Sequence, residues 1–151
     1  MGLDNLLVKK VIKREGKTIG VIDVGVEETL GHFADWLRVS ARDIRRLNGF
    51  NYTRHIHIHE RVKIPLEKVS KEEFEEKRLE YHKQIEEDFY ASYKITDVEI
   101  YRIRRGDTIW TLSQEVFEIP LWLLKRYNAA LDLRNLQPAQ DLFIPVVERV
   151  G

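Results

Sequence analysis

Ile103-Arg104-Arg105-Gly106-Asp107-Thr108-Ile109 decides how this chain is read, because it has a counterpart 79 residues earlier, Val24-Gly25-Val26-Glu27-Glu28-Thr29-Leu30. Downstream, Ile44-Arg45-Arg46-Leu47-Asn48 returns as Leu124-Lys125-Arg126-Tyr127-Asn128, an offset of 80. Val62-Lys63-Ile64-Pro65 returns as Leu142-Phe143-Ile144-Pro145 at that same offset of 80. One inserted residue, expected around Glu118 to Pro120, accounts for the difference. Order and spacing both survive, so the chain reads as two copies of one small module, and function is to be sought in that module.

The second copy predicts strand, helix, helix, strand. Val98, Ile100 and Ile103 lie in a β-rich run, Asp97 to Arg104, closed by the turn signal Gly106-Asp107. Thr108 or Asp107 then caps a helix with a buried stripe of Ile109, Leu112 and Val116. Pro120 suits the first turn of a second helix, where its missing N–H costs nothing, and Leu123, Leu124 and Tyr127 form that helix's apolar face. Asn128 reads as a left-handed exit residue, and a polar loop leads to a last strand around Leu142 to Ile144.

The first copy gives the same order. Leu30, Phe33, Ala34 and Leu37 are spaced for a buried helix face. Ser40 with Asp43 caps the next helix, and Asn48-Gly49 ends it. Leu6 to Arg14 and Thr18 to Val24, around Glu15-Gly16-Lys17, read as a hairpin that lengthens the sheet. Between the copies, Ser70-Lys71-Glu72-Glu73 opens a charged helix to about Tyr93, with a sparse apolar stripe of Phe74, Tyr81, Ile85 and Phe89. That stripe either packs on the chain's own modules or dimerises, although sustained heptads are lacking. The expected class is therefore α+β, with the hairpin and first module in 1–66, a helical connector in 67–95 and the second module in 96–151.

Charge balances at 25 basic and 25 acidic residues, which removes any global pull toward nucleic acid or membrane. Cysteine is absent, so there is no disulfide framework. No stretch is long or apolar enough to span a bilayer. Met1 to Leu6 lacks a basic region followed by an apolar run, so no signal peptide is read there, and Leu6 breaks the myristoylation pattern. The expectation is a cytoplasmic chain or a piece of an exported, periplasmic or cell-wall-associated protein.

Tyr101-x-Ile103-x-x-Gly106-Asp107-Thr108-Ile109-Trp110-x-Leu112 and Gln140-x-Leu142-x-Ile144-Pro145 resemble the LysM family, with Ala139 where the family usually has glycine. The first copy is more distant: Glu27 stands for the glycine, Glu28 for the aspartate and His59 for the late glycine. The resemblance implies non-catalytic binding of glycans containing N-acetylglucosamine, bacterial peptidoglycan or chitin, in a shallow groove between two loops. It places Gly106, Asp107, Thr108, Ile109 and the adjacent Trp110 on one loop, and Asn128, Leu133 and Leu136 on the other. Glu28, Thr29, Leu30, Asn48 and Gly49 are the corresponding residues of the first copy. The alternative from another class is a protein-interaction or assembly module that keeps the fold without the sugar site, as a homodimer or with a partner enzyme. A third is the targeting region of a larger cell-wall hydrolase.

Other features carry less. His55-Ile56-His57-Ile58-His59 would place three imidazoles on one face of an extended strand, but the outer pair would stand ~13 Å apart, too far for one ion. The reading is solvent-facing histidines over buried Ile56 and Ile58, and neither a metal nor another cofactor is expected. No nucleophile elbow, phosphate loop or zinc-protease motif occurs. Trp36 and Trp122 are expected in ordinary packing.

Overall fold

The computed structural model describes residues 6–151; residues 1–5, the start of the expected first module, lie outside the described residues. The chain combines helices with antiparallel sheets and divides into two compact units, Met1–Ile85 and Glu86–Gly151.

In the first unit, β1 (Lys10–Arg14) and β2 (Lys17–Asp23) form an antiparallel hairpin, turned by Glu15 and Gly16 at φ of 54° and 77°. β3 (Arg61–Pro65) pairs with the other edge of β2, setting Ile22 opposite Val62. Between them lie α1 (Leu30–Leu37) and α2 (Ala41–Asn48). The apolar spacing of α1 buries Leu30, Phe33, Ala34 and Leu37 as expected, and Trp36 with them. Ser40 and Asp43 exchange the two bonds of a capping box at 3.2 and 3.4 Å. Gly49 ends α2 at φ 68°. α3 (Lys71–Ser92) begins at Ser70, whose hydroxyl accepts from the Glu73 N–H at 3.1 Å. Its Phe74 is fully buried in the first unit's core.

The second unit contains β4 (Tyr93–Arg102), α4 (Ile109–Thr111), α5 (Leu121–Tyr127) and β5 (Asp141–Arg149). β4 and β5 form a two-stranded antiparallel sheet with Ile100 opposite Phe143. The strand begins at Tyr93 rather than Asp97 and stops at Arg102 rather than Arg104, because β5 runs on to Arg149 and supplies ladder partners that far back. Phe89 and Tyr90, at the end of α3, pack edge-on against Trp122 with centroids 5.4 and 6.2 Å away.

Four local expectations are corrected. α4 runs directly into a π turn, Leu112–Val116, closed by the Phe117 N–H donating to Leu112 C=O at 2.9 Å. The offset is still 79 from His32 to Thr111, the residues whose N–H each helix cap accepts. It is already 80 from Arg38 to Glu118, both at positive φ (59° and 51°). The extra residue therefore sits inside this helical segment and not at Glu118 to Pro120. A π turn takes up one residue beyond an α turn without moving the helix ends. The same widening swings Val116 out to 54 % exposure, so the buried stripe ends at Leu112. Pro120 occupies the capping position just before α5 instead of its first turn.

The histidine run is the fourth correction. No strand forms across 55–59, and β3 starts only at Arg61. His55 and His57 are exposed, Ile56 and Ile58 half-buried, and His59 adopts φ 68°. That conformation has a purpose: the His59 N–H donates to Val24 C=O at 2.7 Å while the Val24 N–H donates to Glu60 C=O at 2.8 Å. In the second unit Ala139, at φ 71°, donates to Ile103 C=O at 2.9 Å and the Ile103 N–H donates to Gln140 C=O at 2.9 Å.

Candidate functional site

In the second unit the first loop is built around Gly106 and Asp107. Gly106 takes φ 89°, a conformation that glycine adopts without a steric penalty. It turns the chain so that Asp107 Oδ2 accepts from the Arg104 N–H and the Tyr101 hydroxyl, both at 2.7 Å. These bonds, the backbone one foremost, hold the Asp107 carboxyl below the usual carboxylate range. The reciprocal effect pushes the Tyr101 phenol up. Thr108 Oγ1 accepts from the Thr111 N–H at 3.2 Å and caps the helical segment, as expected. Ile109 is half-buried against the core, and Trp110 is 62 % exposed at the start of α4.

The second loop follows α5. Asn128 was expected to leave the helix in a left-handed conformation; it has φ −132° instead. Its side chain explains the difference. The Asn128 amide donates to Leu124 C=O and Phe143 C=O, each at 2.8 Å, and its oxygen accepts from the Phe143 N–H at 2.7 Å. With every strong bond spent on tying α5 to β5, and 4 % exposure, Asn128 holds the loop rather than presenting itself to a ligand. Leu133 is buried, and Leu136 half-buried, in the same apolar cluster as Ile109. The fold thus brings Ile109, Leu133 and Leu136 together, leaves Gly106, Thr108 and Trp110 exposed around them, and uses Asn128 as a clasp.

The first unit places its counterparts differently. Glu27, in the position of Gly106, takes φ 67°. Glu28 repeats the turn of Asp107 by accepting from the Gly25 N–H at 2.6 Å. A Cβ on Gly25 would stand 3.0 Å from Glu28 Oε1, so a side chain there would crowd the longer acid. The rest of the Glu28 carboxylate is enclosed by α3. Arg78 Nε and Nη2 donate to its two oxygens at 2.7 Å, and His82 Nε2 lies 2.7 Å from Oε2. Both Glu28 and Arg78 side chains are fully buried. Burial alone would raise the Glu28 pKa, but the bonds from His82 and Arg78, the Arg78 charge and the Gly25 N–H hold it at about 2.

Of the other first-copy residues, Leu30 is buried and Thr29 caps α1 through the His32 N–H at 3.2 Å. Asn48 makes the same clasp as Asn128, donating to Ile44 C=O and Lys63 C=O at 2.8 Å and accepting from the Lys63 N–H at 2.7 Å. Gly49 is the exposed exit of α2.

Arg78, Tyr81 and His82 were not singled out as site residues by the sequence. Their signal was the position of Arg78, four residues after Phe74 and three before Tyr81, in the middle of the apolar stripe of α3. A charge on a buried helix face needs a partner in the core, and Glu28 is that partner.

Two solved structures are similar to the chain at 17 % identity. One is the Bacillus cereus spore cortex-lytic enzyme SleL, with a TM-score of 0.30 over 84 % of this chain and 22 % of that one. The other is the Bacillus megaterium QM B1551 spore cortex-lytic enzyme SleL, at 0.29 over 83 % and 22 %. The chain spans about 22 % of the length of each, and a likeness this slight carries no argument. No curated protein matches the chain. The LysM domain family matches residues 101–145, from the β4 tyrosine that anchors Asp107 to the proline of β5. The segment from Tyr101 to Pro145 is a LysM domain.

Proposed function

We propose that this protein binds glycans containing N-acetylglucosamine, of the peptidoglycan or chitin type, through the shallow surface between its 106–109 and 131–136 loops, without a catalytic step. The match to the LysM domain family over 101–145 carries the reading. The local chemistry suits it. An N-acetyl group offers one donor, one acceptor and a methyl, so loop backbone groups beside Ile109 and Leu136 can read it. Trp110, exposed beside that surface, offers a ring on which a sugar can stack. A surface this open and wet gives modest single-site affinity. The first unit is a divergent LysM-like module, joined to the second through α3. The whole acts at the cell wall, as a binding protein or as the targeting region of a larger one.

Titration of the full chain with N-acetylglucosamine oligomers, followed amide by amide, tests the site. Shifts centred on 106–110 and 131–136 are expected, together with co-sedimentation with insoluble peptidoglycan. Absence of both would leave the assembly-module reading in its place, and a stable dimer by light scattering would then support it.

A further inference from the structure

The first unit carries the same turn as the glycan loop but fills it with protein. We propose that the 25–30 loop of the first unit is a helix receptor, occupied by α3 of its own chain, and that it takes no glycan. The occupant is defined by three side chains on one face of a helix, at positions i, i+3 and i+4: Arg78, Tyr81 and His82.

Three acceptors surround the loop, and α3 meets all of them. Arg78 Nη2 donates to Asp23 C=O at 2.6 Å, and the Tyr81 hydroxyl donates to Glu27 C=O at 2.6 Å. Arg78 and His82 share the Glu28 carboxylate at 2.7 Å. Aromatic packing seals the contact, with the Tyr81 ring 4.6 Å from His32 and 5.2 Å from Trp36.

Comparison of the two units explains why only one loop takes a helix. In the second unit Tyr101, on the strand itself, donates to the loop acid. The residue 79 earlier is Ile22, fully buried and without a hydroxyl. The first loop therefore has the Gly25 N–H for its acid but no side-chain donor from its own strand. Lengthening Asp to Glu carries the carboxylate one methylene further, to where the α3 guanidinium stands. A buried carboxylate with the Gly25 N–H as its sole donor from the loop is costly, so loop and helix depend on each other. With both charged side chains at 0 % exposure, a sugar has no access to the loop acid until α3 leaves.

This inference stands apart from glycan binding by the second unit, and two measurements keep them separable. In the oligosaccharide titration of the intact chain, shifts at 106–110 with none at 25–30 are expected, and saturation at one site per chain. Direct shifts at 25–30, or two sites, overturn the proposal while leaving the glycan reading intact. The second measurement needs no glycan: hydrogen exchange of the Arg78→Met protein. Amides of 25–29 and 74–82 should exchange at least tenfold faster, with those of 141–149 unchanged. Should that variant not fold, Tyr81→Phe removes only the bond to Glu27, and exchange should accelerate several-fold over those same segments. Unaltered exchange at 25–29 in a folded variant overturns the proposal.

Discussion

Arg78 meets Glu28 side-on, its Nε 2.7 Å from one carboxylate oxygen and its Nη2 2.7 Å from the other, with neither side chain exposed to solvent. Such a pair is costly to form and more costly to break, because removing one partner strands a buried charge. It makes the stability of the first unit depend on a helix that sequence alone presents as a charged connector with a sparse apolar stripe.

The pH dependence follows from Glu28. Its carboxyl is held at about 2 in the folded protein against an ordinary 4.5, so its contribution is complete above about pH 4.5 and is lost as pH falls toward 2. At about 1.4 kcal/mol per pH unit that is about 3 kcal/mol. Glu28→Gln should lose roughly 3–5 kcal/mol at neutral pH, since Arg78 stays charged and unpaired. It should also flatten the acid slope. Urea denaturation from pH 6 down to pH 2 reads both, and parallel slopes for the two proteins would sink the assignment.

The asparagine clasps set a second expectation. Asn128→Ala leaves two carbonyls and one N–H without partners at a buried joint, which costs about 2–4 kcal/mol. Asn48→Ala should behave alike in the first unit. Asn128→Asp, which keeps the acceptor but faces two carbonyls with a carboxylate, should be no better than alanine. Chemical denaturation of the three variants decides; a cost below about 0.5 kcal/mol would mean the bonds are replaced by water.

Ala139 holds φ 71°, a position where a side chain costs about 1–2 kcal/mol that glycine avoids. Glycine's extra freedom in the unfolded chain takes back about 0.4–1 kcal/mol. Ala139→Gly should therefore stabilise the second unit by about 0.5–1 kcal/mol, visible as a raised thermal midpoint. A lowered midpoint would contradict the strained conformation.

The π turn predicts an asymmetry between helices. Deleting Glu115, exposed in the turn, lets Leu112–Val116 revert to an α turn and should cost little, on the order of 1 kcal/mol. Deleting Asp35, also exposed, in α1 of the first unit rotates Leu37 off the core face and should cost more than about 3 kcal/mol. Circular dichroism melts of the two deletions compare them directly, and equal losses would argue against a spare residue in the second helix.

The proposed binding surface has its own test. Trp110→Ala should weaken oligosaccharide binding about three- to tenfold with little loss of stability, since most of the indole is already in water. Asp107→Lys should weaken it further by removing the bonds that shape the loop. Calorimetric titration giving unaltered affinity in folded variants would move the site elsewhere.

The sequence by itself determined the order of the elements and the family of the segment from Tyr101 to Pro145. These are written locally: periodic apolar residues, capping pairs such as Ser40 with Asp43, and Gly106-Asp107-Thr108 all act within a few residues of chain. Only the tertiary structure decided which of the marked residues face solvent. Asn48 and Asn128 read as helix ends and proved to be clasps, because their partners in β3 and β5 lie 15 residues further on. Glu28 read as a groove residue and proved to be buried, because its partner Arg78 stands 50 residues away. A bond between distant residues leaves no periodic trace, since its geometry exists only once the helix has docked and water has left.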